Sequence, residues 1–596
     1  MSPSNASRGP YRSILAVLGV GLALALLLGS EFHLNLLVLV ILWMVLALSW
    51  NMISGYAALI SFGHAVFFGL GAYTIVLLQD AWGLSPWIGL PLAILVGAAA
   101  GALIGVITLR LSGVYFALAM LCYPMALIYL FEYIGLQEVT VPMHRETPLW
   151  FMQFESQQSY AFLALGLLAA ALFLSAAIER SRFGLWLRAI KQNEAAASAL
   201  GINCFRWKLL ALTLSGAVGA AAGALYAEVV LVITPWSVFG VAVSAQALVL
   251  TLFGGIGTLW GPVIGAALLV PMSELLKHEF GAILPGINGV IFGVLVIAIV
   301  LFAPQGLFWR VRTLLGKARS EDPHIGTGRP VAAARPAPAQ AAAATPQDRE
   351  VLLRVRGLSR AFGGVQAVDN ASFDVYKGEI LGVIGPNGAG KTTLMNLING
   401  FIVANSGSAE INGHNVIGRE VHDIAAAGIG RTFQVTRVFP KMTLYENVAV
   451  GAIAGSEKIP DWEAAAWRAI DLVGLRDRID ILAGEATARD LRLMELARAA
   501  ACHPELLLVD ECLAGLSTEE VEEMVVALQS LRNAGTTIVI IEHTMQAMVR
   551  LADRFLVLDH GAVIAEGAPQ DVMRNPTVLE AYLGRRFAEG ITHATA

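Results

Sequence analysis

Long apolar segments dominate the first half of the chain and limit its fold more than any other feature. Several of them approach the roughly 20 residues that a helix needs to cross a bilayer. The sequence therefore predicts an all-α polytopic membrane domain. The segments up to Phe308 are at about residues 13–30, 34–53, 57–79, 86–108, 112–134, 159–179, 209–232, 238–256, 262–277 and 284–303. Because the third, eighth and ninth are short or glycine-rich, we expect about eight to ten true crossings.

The composition is typical of a membrane protein and gives no sign of a nucleic-acid-binding protein or of a disulfide or metal framework. Of 596 residues, 56% are apolar and only 14% are charged, below the roughly one quarter of soluble proteins. The net charge of −5 comes without a basic stripe that would indicate a nucleic-acid partner. Four cysteines are scattered with neither disulfide nor metal-ligand spacing, so we expect buried or membrane-facing thiols.

The distribution of charge predicts a cytoplasmic N-terminus. Ten crossings would place Arg12 on the same side as the basic loop Arg180–Lys191 and the basic run Arg310–Arg319, which is the positive-inside pattern. Arg8, Arg110, Arg206 and Lys208 would lie on that side too. The same arrangement puts residues 135–158 outside and everything after the last segment in the cytoplasm.

The chain divides into four predicted regions. Residues 1–318 form the transmembrane domain, and 319–349 form an Ala/Pro-rich linker that is extended and mobile. Residues 350–584 alternate strand-like and helix-like runs in the manner of an α/β domain, and 585–596 are a tail. The predicted fold class is thus a multi-domain chain: an all-α membrane domain followed by an α/β nucleotide-binding domain.

A glycine-rich stretch gives the second domain its chemistry. It lies between an apolar, strand-like run, Ile380–Ile384, and a helix-like run, Leu394–Ile398. Its residues are Gly385, Pro386, Asn387, Gly388, Ala389, Gly390, Lys391, Thr392 and Thr393. In that context the pattern predicts a phosphate-binding loop rather than a turn without ligand. Backbone N–H groups and Lys391 would bind the β- and γ-phosphates, and the Thr392 hydroxyl would ligate Mg²⁺.

A pair of acidic residues predicts hydrolysis at the same site. Asp510 and Glu511 end the apolar run Leu506–Val509. Two adjacent carboxylates repel each other unless a cation lies there. We expect Asp510 to hold Mg²⁺ through water and Glu511 to act as the general base.

The order of these motifs resembles that of ABC-type transport ATPases, for which ATP and Mg²⁺ are the cofactors. Arg431–Gln434 is similar to the Q-loop, which implies that Gln434 contacts Mg²⁺ and takes part in catalysis. His543 follows the strand-like Ile538–Ile541 and resembles the switch histidine that contacts the γ-phosphate. Phe362 stands where these ATPases place an aromatic ring on the adenine.

The signature motif of that family is degraded. It falls on Ala486–Asp490, where Thr487 can still offer a hydroxyl but Arg489 replaces a glycine that lets the backbone approach the γ-phosphate. Ala488 and Asp490 complete the degenerate motif. Since each ATP of an ABC dimer lies between one phosphate loop and the other subunit's signature, we hypothesise a heterodimer whose second ATPase subunit has an intact signature.

Both halves resemble the branched-chain (Liv-type, hydrophobic amino acid) ABC importers. The matching stretches are Leu48–Tyr56, Ser61–Tyr73, Gly113–Ala117, Phe253–Ala266, Phe302–Gly306, Ala361–Val365 and Asn575–Gly584. The resemblance implies a fused permease and ATPase in a bacterial inner membrane. It also implies three partners: a second permease, a second ATPase and a periplasmic substrate-binding protein.

The resemblance leaves the substrate open. Branched-chain or related small amino acids and amides are implied, while relatives carry urea or organic acids. Gly135–Arg145 departs from the family's Thr-Gly-Gly pattern in the outward loop. His64, in an apolar segment, either faces a cavity or partner or is a packing residue with a satisfied hydrogen bond.

A charged cytoplasmic segment favours an importer. Glu194, Ala195 and Ala196, followed by Gly201, resemble the EAA coupling loop of importers; the alternative is a solvated surface helix. Two further functions stay open. The fusion itself is usual in exporters, and the degraded signature is compatible with a weakly hydrolysing, nucleotide-gated regulatory subunit.

Overall fold

The computed structural model describes residues 9–111, 113–144, 146–280, 306–314, 350–455 and 461–583, together with 290, 293, 294, 297 and 301. They form two compact units. The first holds the described residues of Met1–Lys191 and Phe205–Arg319, and the second those of Gln192–Cys204 and Ser320–Ala596. The predicted linker and tail, Arg8, Arg145 and, apart from five single residues, the segment 284–303 lie outside the described residues.

Helices make up nearly all of the first unit. In chain order they are α1 (Gly9–Leu27), α2 (Glu31–Trp50, continued by a π-helical turn Asn51–Gly55), α3 (Ala65–Trp82), α4 (Pro86–Thr108), α5 (Val114–Tyr133), α6 (Gln157–Arg180), α7 (Arg182–Gln192), α9 (Cys204–Val230), α10 (Pro235–Phe239), α11 (Val241–Gly254), α12 (Gly261–Phe280) and α13 (Leu307–Leu314). The helix α8 (Glu194–Ala199), between α7 and α9 in the chain, belongs to the second unit. Two short strands, β1 (Val139–Thr140) and β2 (Val232–Ile233), pair antiparallel.

The predicted membrane domain is confirmed as a helical, apolar unit. Among the described residues, seven helical stretches are long and apolar enough to cross a membrane: Glu31–Gly55, Ala65–Trp82, Pro86–Thr108, Val114–Tyr133, Gln157–Arg180, Cys204–Val230 and Pro235–Gly254. The first and ninth predicted segments are shorter apolar helices, Tyr11–Leu27 and Gly261–Leu276. The tenth lies largely outside the described residues, so eight to ten crossings stays a prediction.

The third segment begins later than its hydropathy suggests. The helix α3 starts at Ala65 rather than near residue 57, and residues 58–64 are irregular. The chain turns here because Ala58 has a φ of +57° and the Trp50 indole donates a hydrogen bond to the Ser61 carbonyl at 2.7 Å. Gly63 then passes so close to α5 that a Cβ on it would lie 1.9 Å from the Met120 carbonyl oxygen.

Glycines let the helices of this unit pack at backbone distance, as expected for membrane helices. A Cβ on Gly97 of α4 would lie 2.5 Å from the Gly216 carbonyl oxygen of α9. On Gly71 of α3 it would lie 2.0 Å from the Ala220 oxygen. A side chain is therefore excluded at these two positions, where α3 and α4 meet α9.

His64 is fully buried between α2, α3 and α9. Its Nε2 lies 2.8 Å from the Ser49 hydroxyl and 3.2 Å from the Ser215 hydroxyl. The ring thus has hydrogen-bond partners in the protein, which fits the packing alternative of the two stated for it.

The second unit is the predicted α/β domain. Its strands are β3 (Val351–Phe362), β4 (Val365–Tyr376), β5 (Ile380–Ile384), β6 (Ser406–Ile411), β7 (His414–Asn415), β8 (Ile429–Arg431), β9 (Leu506–Asp510), β10 (Thr537–Ile541), β11 (Arg554–Asp559) and β12 (Ala562–Gly567). Its helices, besides α8, are α14 (Lys391–Ile398), α15 (Val421–Ala426), α16 (Leu444–Ala454), α17 (Trp462–Val473), α18 (Ala488–Ala501), α19 (Thr518–Asn533), α20 (Met545–Leu551), α21 (Pro569–Val572) and α22 (Pro576–Leu583). Single 3₁₀ turns are at Arg476–Arg478 and Ala483–Glu485.

The main sheet positions the site. In the described part of the chain its order is β12-β11-β5-β10-β9-β8, parallel except for β12. The central strands β5, β9 and β10 are apolar and buried along their whole length, as expected for parallel strands covered on both faces. Because they run in the same direction, the loops after β5, β10, β9 and β8 meet at one edge of the sheet. A second sheet has the order β4-β3-β6-β7.

Candidate functional site

The glycine-rich loop connects β5 to α14, as predicted. Gly385 and Gly390 have φ angles of +151° and +95°. A Cβ at either would lie 2.1 Å from a carbonyl oxygen, that of Leu558 or of Ala367 respectively. Only glycine fits both positions, so the loop keeps its backbone open toward the N-terminus of α14.

The lysine of the loop is held across it. Lys391 is the first residue of α14, and its Nζ donates to the carbonyl oxygens of Gly385 and Pro386 at 2.7 and 2.9 Å. Burial lowers the pKa of this ammonium group, against the opposing effect of the Glu511 and Asp510 carboxylates. Among the other predicted loop residues, Ala389 is buried, Thr392 and Thr393 are half-buried, and Asn387 and Gly388 are exposed to solvent.

Asp510 lies at the end of β9 with an ionic partner that the sequence interpretation did not assign. The Arg431 guanidinium, at the end of β8, lies 3.5 Å from Asp510 Oδ2, and both side chains are buried. Among the described residues, the second oxygen, Oδ1, has no hydrogen-bond partner. Burial raises the pKa of Asp510, while Arg431 opposes that effect. A buried carboxylate oxygen without a donor fits a divalent cation.

Three predicted catalytic residues meet at Glu511. His543 Nε2 lies 2.9 Å from Glu511 Oε1, and Gln434 Nε2 donates to Oε2 at 2.7 Å. Glu511 itself has a φ of +48°, and its N–H donates to the Ile541 carbonyl at 2.9 Å. The carboxylate is therefore fixed at both oxygens by residues that follow two other strands.

Glu542 is a further residue of this edge whose role the sequence did not reveal. It is buried, and its carboxylate accepts the N–H groups of Leu513 at 2.5 Å and His543 at 3.2 Å. Burial raises the pKa of Glu542, while these two N–H groups lower it. Glu542 thus ties the loop after β9 to the switch segment after β10. An acidic residue next to the predicted histidine was the available signal.

Phe362 lies at the end of β3 and has 44% of its surface exposed. The Arg360 guanidinium lies 4.7 Å from its ring centroid. The exposed ring leaves a face free for stacking, which is compatible with the adenine contact that the sequence predicts.

The degenerate signature forms the start of α18. Thr487 is the N-cap, and its hydroxyl accepts the Asp490 N–H at 3.2 Å. Arg489 donates to Glu523 and, at 2.9 Å, to the buried Asp490 carboxylate. Thr487 is therefore used in capping, and the residue in place of the glycine carries two ionic contacts.

The EAA-like segment belongs to the second unit. Asn193 caps α8 through the Ala196 N–H at 3.0 Å, and Gly201 follows with a φ of +93°. Inside this unit, Asn203 Nδ2 lies 2.8 Å from His422 Nε2. Gln192 Oε1 accepts the Lys441 N–H at 2.8 Å. Glu194 and Ala195 start α8. The segment is thus a helix with buried alanines within this unit, and its role as a coupling loop stays a prediction.

Family models match both halves. The permease component of the branched-chain amino acid transport system matches residues 32–300, the ABC transporter model 368–514, and the branched-chain amino acid ATP-binding cassette transporter model 562–588.

Curated relatives match the second half. The high-affinity branched-chain amino acid transport ATP-binding protein LivG of Escherichia coli is 37% identical over 249 residues, covering 39% of this chain and 98% of that protein. The high-affinity branched-chain amino acid transport ATP-binding protein BraF of Pseudomonas aeruginosa is 34% identical over 251 residues. That match covers 39% of this chain and 98% of BraF. A solved nucleotide-free ATP-binding cassette from an ABC transporter is 29% identical with a TM-score of 0.37, covering 40% of this chain and 100% of that one.

These matches define an ABC transporter that joins a permease to an ATP-binding transport ATPase. The first unit, with its membrane-length helices, corresponds to the permease, and the α/β unit corresponds to the ATPase. The chain belongs to the Liv-type branched-chain amino acid ABC transporter family.

Proposed function

We propose that this chain is the fused permease–ATPase subunit of an importer for branched-chain or related small amino acids or amides in a bacterial inner membrane. The family matches to both halves support the substrate class. The LivG and BraF proteins are named for branched-chain amino acid transport, and the second half of this chain matches 98% of the length of each. The packed EAA-like segment supports the import direction.

The convergence of Gln434 and His543 on Glu511 carries the hydrolytic part of the proposal. The loop amides and Lys391 bind the β- and γ-phosphates of ATP, and Glu511, oriented at both oxygens, accepts a proton from the attacking water. Phe362 stacks on the adenine.

A magnesium ion fits the same edge. Asp510, whose buried Oδ1 has no hydrogen-bond partner among the described residues, would hold it together with Thr392 and Gln434. When bound, Mg²⁺ neutralises charge on the β- and γ-phosphates. The protein's own part is to keep Asp510 in place, which the ion pair with Arg431 does.

The domain boundaries and topology complete the proposal. Residues 1–318 form the permease with a cytoplasmic N-terminus, 350–584 the cytoplasmic ATPase, 319–349 a linker and 585–596 a tail. Glu194, Ala195, Ala196 and Gly201 form the coupling segment. The partners are a second permease, a second ATPase and a periplasmic substrate-binding protein.

Import is tested by uptake of labelled L-leucine into cells that carry the chain with its partner subunits and binding protein. We expect uptake above that of a Lys391→Ala variant, whose phosphate loop lacks its cation. Uptake without any binding protein, or export of preloaded leucine, would instead favour the exporter.

A second candidate function has its own observation. Arg489 stands in the signature with ionic contacts to Glu523 and Asp490, so a partner's ATP would face an impaired signature. The chain would then be a nucleotide-gated regulatory subunit with weak turnover. Uptake that survives loss of hydrolysis at this chain's site would favour that function.

A further inference from the structure

Two polar side chains are buried against each other inside the first unit. Gln79 lies on α3 and Glu228 on α9, both within helical stretches of membrane-crossing length. Only 2% and 1% of their surfaces are exposed, and the Gln79 amide donates to Glu228 Oε1. An ionisable group in such a segment is costly unless it is paired, and it often marks a solute pathway.

The hydrogen bonds of this pair use the N–H donors of the Gln79 amide and leave only oxygen acceptors. Gln79 Nε2 donates both to Glu228 and to the Ile75 carbonyl at 3.4 Å. Because both neighbours accept, the orientation of the amide is fixed. Within the described ranges, Gln79 Oε1 and Glu228 Oε2 have no hydrogen-bond partner. The pair therefore offers two oxygens and a carboxylate charge, with no donor left.

That combination suits an ammonium group. A protonated amine has three N–H donors and no acceptor, so it complements a carboxylate and an amide oxygen. A divalent metal ion needs six or more ligands, whereas this pair offers only two oxygens without a partner among the described residues. The chemistry favours an organic cation.

The loop before α6 contacts both helices that carry the pair. The Tyr73 hydroxyl, on α3 before Gln79, donates to the Leu136 carbonyl at 3.0 Å. The Leu231 carbonyl, just after Glu228, accepts the Val141 N–H at 2.8 Å, beside the β1–β2 pair. Residues 136–141 thus contact α3 at Tyr73 and the chain just after α9 at Leu231, and in the proposed topology the end of α9 is on the outer side, where an imported solute enters.

We propose that Gln79 and Glu228 bind the ammonium group of the transported amino acid in the permease. This inference rests on the proposed function. Glu228 supplies the charge, and Gln79 supplies a second acceptor while fixing the carboxylate. The site therefore selects amine-bearing solutes over acids of the same shape.

The variant Glu228→Gln distinguishes this role from a structural one. If Glu228 only formed a neutral acid–amide pair with Gln79, a glutamine would replace it with complementary amide–amide hydrogen bonds and uptake would be unchanged. For an ammonium site we expect the KM for L-leucine uptake to rise at least about tenfold, equivalent to about 1.4 kcal/mol. Gln79→Leu should also raise KM, by a smaller factor.

The assay uses the full transporter in proteoliposomes, with L-leucine and 4-methylpentanoate, which is leucine without its ammonium group, as competing probes. Glu31→Gln, an exposed acid at the start of α2, is the matched control, and the thermal unfolding midpoint checks folding. Equal KM values for Glu228→Gln and wild type, or equal inhibition by 4-methylpentanoate and leucine, overturn the inference alone. No leucine uptake by wild type overturns the proposed function first.

Discussion

At the scale of single residues, Glu511, the proposed general base, is held through both its backbone and its side chain. Glu511 combines a positive φ with contacts to Gln434 and His543. A residue with this backbone conformation is strained unless its surroundings hold it. We infer that its orientation is set before nucleotide arrives, so that a change of its chemistry affects hydrolysis more than binding.

Replacing Glu511 by glutamine should separate binding from hydrolysis. We expect at least about 100-fold slower ATP hydrolysis, because the general base is lost, with ATP affinity nearly unchanged, because Lys391 and the loop remain. Steady-state ATPase rates and nucleotide-binding titrations measure both. Glu519→Gln, an exposed acid on α19, should change neither, and a large loss of ATP affinity in Glu511→Gln would contradict the assigned role.

At the scale of elements, the helix α18 contains a buried glutamate, Glu495, whose pKa is raised. Burial raises the pKa of Glu495 to about 7, although Arg498 and the Arg437 N–H lower it. Between about pH 4.5 and 7 the folded domain then keeps a proton that the unfolded chain releases. The free energy of unfolding therefore falls as the pH rises through this window.

The variant Glu495→Gln should remove this pH dependence. We expect the change in unfolding free energy between pH 4.5 and 7 to shrink by at most about 3 kcal/mol, since glutamine does not titrate. Urea unfolding of the ATPase domain at several pH values measures it. The exposed Glu463 on α17, changed to glutamine, should leave the profile intact. An unaltered slope in Glu495→Gln would show that this carboxyl does not titrate in the window.

The contact between α4 and α9 depends on Gly97. A methyl group there would lie 2.3 Å from the Ala220 Cβ and 2.5 Å from the Gly216 oxygen, so the helices would have to separate. Gly97→Ala should destabilise the membrane unit by about 1–3 kcal/mol, seen as a lower thermal unfolding midpoint in detergent. Gly166→Ala on α6, where no described atom lies within 4 Å, is the control and should leave the midpoint unchanged or raise it.

At the scale of the whole molecule, we propose that the degenerate signature limits the ATPase activity of the chain alone. A homodimer would place Arg489 at both ATP sites, whereas a partner with an intact signature would complete the site built on this chain's phosphate loop. We therefore expect low ATPase activity of the chain alone and a clear increase when the partner ATPase is added. Strong activity alone would contradict the proposed asymmetry.

Restoring the glycine gives a second test of that asymmetry. Arg489→Gly should raise the ATPase activity of the chain alone about tenfold or more. We expect this because the regained backbone contact to the phosphate would lower the barrier by about 1.4 kcal/mol, which corresponds to a tenfold rate. Arg468→Ala, at an exposed position on α17, is the control. Unchanged activity in Arg489→Gly would show that the defect does not lie at this position.

By itself the sequence determined the features that depend on neighbours along the chain. The apolar segments predicted the membrane helices, and the strands β5, β9 and β10 lie where their apolar runs predicted them. These patterns are local, because helix length and strand burial are written in consecutive residues. Residues 58–64 show the limit, since there a close contact with α5 overrode an apolar run.

Only the tertiary structure decided which distant groups meet. The Arg431–Asp510 ion pair and the two contacts of Glu511 join segments that follow different strands. Gln79 and Glu228 are 149 residues apart and meet only because α3 packs on α9. A sequence records the chemistry of each side chain, but the partner that satisfies or leaves unsatisfied a buried polar group is set by packing.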